Sequence, residues 1–213
     1  DPINDETYQL NINGMSAIHM GVELEAARYF TKQLKMELVA ALGDWRWTSE
    51  DTARLYVNEV YVDDYYFNAT GVHVGDAAQF QTMLRIRWEP IKGLYFTASG
   101  TYFGKHYAQF DPFSLSPESG IDYLTEEGNP RDSWQVPHYY LVDANAGYRF
   151  TINKVRMEVR ASVINVLDRR YISDAVNNDS YSVPASYRDF DAKSAGVFFG
   201  LGRRFNTSVK IIL

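Results

Sequence analysis

The side chains with the widest chemical repertoire are thinly spread in this chain. Its four histidines stand at 19, 73, 106 and 138, and no two have the i, i+4 spacing of a helical metal pair. His106 and His138 are expected to approach each other at the rims of neighbouring strands, where exposed rim histidines are the simpler role. Asp63, Asp64 and Asp76 in one connection, and Asp179, Asp189 and Asp191 in another, offer oxygen ligands for Ca²⁺. Their spacing matches no dedicated calcium loop, so solvated acidic loops are the plainer account. Only Ser99 or Ser114 near His106 could form a nucleophile and base, and no orienting acid is apparent. The glycines at 71–75 lack a phosphate-loop pattern, and there is no cysteine for a thiolate site. These residues assign no catalytic group, no metal site and no cofactor, and the chain is expected not to be an enzyme.

Aromatic side chains supply the better binding chemistry. Tyr61, Tyr65 and Tyr66 crowd one long connection, Phe110 and Tyr123 mark a second, and Tyr187 a third. Ring faces beside acids suit sugars, peptides, or catecholate and haem-like rings, which makes these six the candidate ligand contacts. The competing role is packing, because long ordered loops must bury something against each other.

What must position those rings is a series of long alternating segments. Apolar and polar residues alternate over about 15–28, 34–47, 79–88, 94–107, 139–150, 155–167 and 197–213, the period of a half-buried strand. Several are longer than the ~9–11 residues a tilted strand needs to cross a bilayer. Connections alternate in length: 28–33, 89–93 and 151–154 are short, while 49–77, 108–136 and 168–195 are long. A transmembrane barrel sorts its turns this way, short on the periplasmic side and long outside. One face gathers Ile18, Val22, Leu38, Leu84, Ile86, Val142, Val159 and Val163 and is expected to meet lipid. Arg85, Arg87, Arg156, Glu158 and Arg160 then point into the lumen.

Composition agrees. Among 213 residues, 16 Tyr, 12 Phe and 4 Trp are enough for two interfacial girdles. Trp45, Trp47, Tyr102, Tyr107, Tyr139 and Tyr140 fall toward the long-connection ends; Tyr29, Phe30, Trp88, Tyr95 and Phe150 fall toward the short turns. Mean hydropathy is only -0.33 because half of every such strand is polar. A net charge of -6 argues against a nucleic-acid partner.

Three motifs carry a family resemblance. Gly21-Val22-Glu23-Leu24-Glu25 resembles a barrel strand of TonB-dependent outer-membrane receptors. Asn165-Val166-Leu167-Asp168 followed by Tyr171 resembles an element of their penultimate strand, and is read here as fixing a strand end. The stretch from Gly200-Leu201-Gly202 through Phe205 to Ile211 resembles their closing strand, although the chain ends Ile212-Leu213 where an aromatic residue is usual. The style of 93–113 and 194–211 is similar to receptors of Bacteroidetes. The resemblance implies an all-β, antiparallel transmembrane β-barrel of 22 strands with an N-terminal plug, residues 1–213 forming about the last seven strands.

The function so implied is binding and import of a scarce ligand, such as a siderophore, cobalamin, an oligosaccharide or a peptide, with energy from the inner membrane. Implied partners are outer-membrane lipid, the N-terminal barrel strands and plug, and the TonB complex through that N-terminal part; a surface lipoprotein is a further candidate. The implied location is the bacterial outer membrane. Seven strands cannot close, and two open edges in hydrocarbon would leave costly unmade hydrogen bonds, so both edges are expected to pair with polypeptide beyond 1–213. The alternatives are a passive porin-like channel or adhesin barrel, which would lack the plug, and a barrel-embedded hydrolase.

Overall fold

The computed structural model describes residues 8–12, 14–117, 122–177, 192–193 and 195–212. In chain order the strands are β1 (Tyr8–Asn11), β2 (Ala17–Tyr29), β3 (Leu34–Trp47), β4 (Glu50–Val57), β5 (Val60–Asn68), β6 (Phe80–Ile91), β7 (Leu94–Gly104), β8 (His106–Tyr107), β9 (Gln135–Val136), β10 (Tyr139–Ile152), β11 (Val155–Ile164), β12 (Ile172–Asn177), β13 (Ala195–Phe199) and β14 (Arg204–Ile212). Among the described residues one 3₁₀ turn, Pro112–Leu115, lies between β8 and β9. No helix of the described residues is long and apolar enough to cross a membrane, which says nothing of strands.

Seven strands form one antiparallel sheet in the order β14-β11-β10-β7-β6-β3-β2. Its register keeps the two chemistries apart. Leu38 pairs with Leu84, Ile86 with Ala98, Val159 with Val209, and Val163 with Phe205. One residue along, Glu37 pairs with Arg85, Arg149 with Glu158, and Ser162 with Asn206. The polar set lines a cleft of about 950 Å³. The apolar set is solvent-exposed in the isolated chain, Val22 at 73% and Phe205 at 75%. So large an apolar face suits contact with lipid rather than water. Trp88 stacks on Phe96 and Tyr148 on Phe150 at its short-turn end, where an aromatic girdle belongs. Tyr95 corrects the sequence reading: it is 4% exposed and points into the polar cleft, because it shares the parity of Arg149 rather than of Phe96.

The short turns have a local cause. Asn153 and Lys154 have φ of 47° and 73° between paired Ile152 and Val155, the two positive angles of a tight hairpin turn whose twist matches its strands. Asn58 and Glu59 repeat this at 50° and 67° between Val57 and Val60. The long connection 49–77 is therefore not plain loop as expected. It holds the β4–β5 hairpin, and β1 adds a third strand to it.

The final alternating segment also differs from expectation. Instead of one strand over 197–213, β13 and β14 are separated at 200–203. The cause lies in the preceding turn, where Asn165 and Asp168 take left-handed φ of 53° and 51°, ending β11 at Ile164 rather than 167. The Asp168 carboxylate accepts the Arg203 N–H (2.8 Å), and the Asn165 amide donates to the Leu201 carbonyl (3.3 Å). Tyr171 lies so close to Gly200 that a Cβ there would stand 1.9 Å from the ring. Backbone groups that would extend the ladder are thus taken by side chains. Likewise the segment 94–107 breaks at Lys105 (φ 49°), after which β8 leaves to pair with β9.

Asn165 is 1% exposed and also exchanges two hydrogen bonds with the Arg169 backbone, both 2.9 Å. Asn165→Ala strands those backbone groups, so a loss of about 1–3 kcal/mol is expected. Urea unfolding of the vesicle-embedded receptor measures it; an unchanged midpoint would deny the turn its structural role.

Candidate ligand-binding loops

The buried apolar residues gather mainly in the long connections. Ala53, Phe67, Ala69, Val72, Phe110 and Leu115 form one core, with Trp47, Tyr65 and Tyr123 packed against it. Phe110 meets Phe67 and Trp47, each at 5.8 Å between centroids. Ala108, Val136 and Ala175 form a second core, joining the second and third connections. The described parts of these connections pack against one another at the end of the sheet opposite the short turns.

This packing divides the six candidate rings. Phe110 is buried inside the first core, and Tyr65 and Tyr123 are half-buried on its flank. Tyr61 and Tyr66 remain exposed at 51% and 40%. Tyr187 lies outside the described residues. The two exposed rings share the hairpin's outer face for a backbone reason. Alternation along β5 would put Tyr61 on the same face as Tyr65 and Phe67. A register shift between Leu55 and Tyr56 pairs Tyr61 with Tyr56 instead, and the two rings meet edge to face at 5.9 Å. A bulge of this kind re-aims a side chain.

Acids surround both phenols. Tyr66 donates its hydroxyl hydrogen bond to the Glu50 carboxylate, which, followed by partial desolvation, holds the phenol above its ordinary pKa. Desolvation first, and then Asp64 and Asp63, do the same for Tyr61. Both hydroxyls stay protonated at neutral pH and are turned toward acids, Tyr66 toward Glu50 and Tyr61 toward Asp64, which leaves the ring faces as their free surface. Asp63 itself accepts the Asp64 N–H at 2.8 Å.

Two buried histidines lie at the base of these loops. His73, missed as a loop anchor in the sequence, is 6% exposed and stacks flat on Tyr107 at 3.8 Å. Its Nδ1 lies 2.5 Å from Asp132, whose carboxylate also accepts the His73 backbone N–H, and its Nε2 lies 3.3 Å from Asp44. It thus joins the first connection to the second and to β3. Fifty-nine residues separate His73 from Asp132, so no spacing signals the pair. Among the described residues, no group of three or more His, Asp or Glu is arranged to hold a metal ion. Ser114 spends its hydroxyl on the Asp111 carbonyl (2.8 Å).

His106 is the second. It is 4% exposed, and neither ring nitrogen has a hydrogen-bond partner among the described residues. Asp174 stands 3.9 Å away, while His138 packs near Tyr102 instead. Burial lowers the His106 pKa, and Asp174 and Asp76 oppose that only in part. The native state therefore binds fewer protons than the unfolded chain just below the ordinary histidine value of about 6.5. Stability from this group is complete above that value and is lost as pH falls toward the depressed one. The protection factors of the amides at 106–107 and 135–136, with the intrinsic exchange rate at each pH divided out, should therefore fall as the pH is lowered below the ordinary histidine value. His106→Gln should flatten that dependence, and an unaltered profile would refute the assignment.

A polar cleft on one sheet face, an apolar belt with an aromatic rim on the other, and loops sorted by length define the wall of a transmembrane β-barrel. The family model for "TonB dependent receptor-like, beta-barrel" matches residues 1–166, and the chain belongs to this family, whose barrels are outer-membrane proteins of receptor and transport function. Among solved structures it is similar to the siderophore receptor PiuA from Acinetobacter baumannii, with a TM-score of 0.56 at 17% identity. That match covers 92% of this chain and 22% of the PiuA chain, so it speaks for the fold alone. No curated protein matches the chain.

Proposed function

We propose that this chain is part of the wall of an energised importer: about the last seven strands of a 22-stranded barrel. Strands β2 and β14 would pair with polypeptide outside residues 1–213, and the plug and TonB contact would lie N-terminal to it. The family match carries this reading, and the two sheet edges in the described residues are consistent with it. The cargo would be a scarce ligand such as a ferric siderophore, cobalamin, an oligosaccharide or a peptide, and a ferric siderophore is the first to test because PiuA, whose fold is similar, is a siderophore receptor. Tyr61 and Tyr66 are the rings that would meet cargo first, because they are exposed on the outer face of the hairpin. The motif style favours a Bacteroidetes-type receptor, in which a surface lipoprotein would sit over these loops.

The test is uptake of radioactive iron, supplied as a panel of ferric siderophores, by cells with and without the intact receptor gene and with and without TonB. Uptake of one siderophore that needs both supports the proposal. Uptake that needs the gene but continues without TonB would establish the passive porin-like channel instead.

A further inference from the structure

Beyond the loops, the polar face of the sheet gathers a cluster of aromatic and charged side chains around Tyr95. Tyr95 is 4% exposed, although it stands on the polar, cleft-facing side of β7. Its ring is seated over Gly147 on β10, where a Cβ would come within 2.4 Å of it. The Arg87 guanidinium lies over the ring at 4.1 Å from the centroid, and that of Arg149 at 4.8 Å. The Tyr95 hydroxyl donates to Glu158 at 2.6 Å, and Arg149 Nε reaches the same oxygen at 3.3 Å. Arg160 is in the same cross-strand row, since Gly147 pairs with both Tyr95 and Arg160. That places it two strands over, about 10 Å at the backbone.

The charges around this ring do not balance. The cleft is lined by five cations, Lys35, Arg85, Arg87, Arg149 and Arg160, and by three acids, Glu37, Asp143 and Glu158. All three acids are engaged. Glu37 is held by Lys35 (2.5 Å) and Arg85 (3.6 Å), Glu158 by Tyr95 and Arg149, and Asp143 accepts the Asn165 N–H (2.8 Å). Arg87 has only Glu89, at 3.8 Å, and Arg160 has no carboxylate within 4.0 Å among the described residues. Glu158 already shows that a carboxylate fits this aromatic and guanidinium frame. We propose that Arg87, which reaches over the Tyr95 ring from β6, and Arg160, on β11 beyond Gly147, bind between them a second carboxylate supplied from outside this chain. Guanidinium forks match a carboxylate in two parallel hydrogen bonds, and low-dielectric walls strengthen them.

That carboxylate belongs either to a small carboxylate-bearing solute in the lumen or to an Asp or Glu of polypeptide that fills it. Two arms separate these sources in the intact receptor, purified in detergent. In the first, citrate is titrated calorimetrically into the parent and into the Arg87→Gln/Arg160→Gln double variant. In the second, the amine installed by Arg160→Lys is coupled with a carbodiimide to any carboxylate in ion-pair contact, and the joined peptides are read by mass spectrometry. Heat-modifiability confirms that each variant is still a folded barrel. Saturable citrate binding, weakened at least tenfold by the double variant and with no cross-link to distant polypeptide, assigns the site to a solute. A cross-link to an acid outside residues 1–213, with citrate excluded, assigns it to polypeptide. No citrate binding together with no cross-link, or with one to Glu158 alone, overturns the proposal.

Discussion

Val159→Arg lowers the stability of the receptor barrel by about 2–4 kcal/mol, whereas Ser162→Arg, three residues along the same strand, leaves it nearly unchanged. Val159 stands midway along β11, paired with Tyr148 and Val209. It is on the apolar face and 43% exposed in the isolated chain. At that depth an arginine has neither water nor a counter-ion, and it must thin the bilayer or draw water to itself. Ser162 pairs with Asn145 and Asn206 and lines the polar cleft, so a guanidinium there meets water and hydrogen-bond acceptors. Urea unfolding of the intact receptor in lipid vesicles, followed by tryptophan fluorescence, gives both midpoints. A loss at Ser162 with none at Val159 would reverse the two faces of the sheet.

That contrast rests on a feature readable without coordinates. Period-two alternation is local, so the faces of β3, β6, β10 and β11 follow from neighbours a residue apart. The turn at Asn153–Lys154 is equally local, because two residues between two strands fix its angles. What stayed hidden depends on distant partners. The gap between β13 and β14 is made by Asn165, Asp168 and Tyr171, which capture backbone groups of residues 200–203 across the long third connection. Within 197–213 itself, the alternation runs on as if nothing intervened. The β4–β5 hairpin escaped because its turn, Asn58–Glu59, has no glycine and its strands are mixed with acids. Tyr61 was legible as a ring in a connection, but not its aim, which a one-residue register shift decides. Of the proposed inner-wall site, Arg85, Arg87 and Arg160 were legible as lumen-facing. The inward turn of Tyr95 onto Gly147 was not, since a tyrosine near a short turn reads equally well as part of a girdle.

Phe67→Ala should release the loop module while leaving the barrel wall intact. Phe67 is fully buried, and Phe110 packs on it from the second long connection. Truncating such a side chain removes about 3–5 kcal/mol. The module it holds is small: β1, β4 and β5 with six buried residues in its core. Three strands with an apolar face are the least that independent stability requires, and with Phe67 truncated this slight core no longer supplies that face, so the loss should exceed what keeps the hairpin docked. The seven-stranded sheet is held by its own ladders, and stability is not shared evenly across a structure. Hydrogen exchange on the intact receptor should therefore lose protection over residues 50–68, with β10 and β11 unaffected, and proteases should cut at 58–59. Val62→Ala, at a position 54% exposed, is the matched control and should change stability by less than about 0.5 kcal/mol. Because Tyr61 and Tyr66 ride on this hairpin, cargo uptake should fall further with Phe67→Ala than with Tyr61→Ala alone. Equal loosening of hairpin and wall would show that the two are one cooperative unit. Unaltered protection over 50–68 would show that the core around Phe67 does not hold the loops in place.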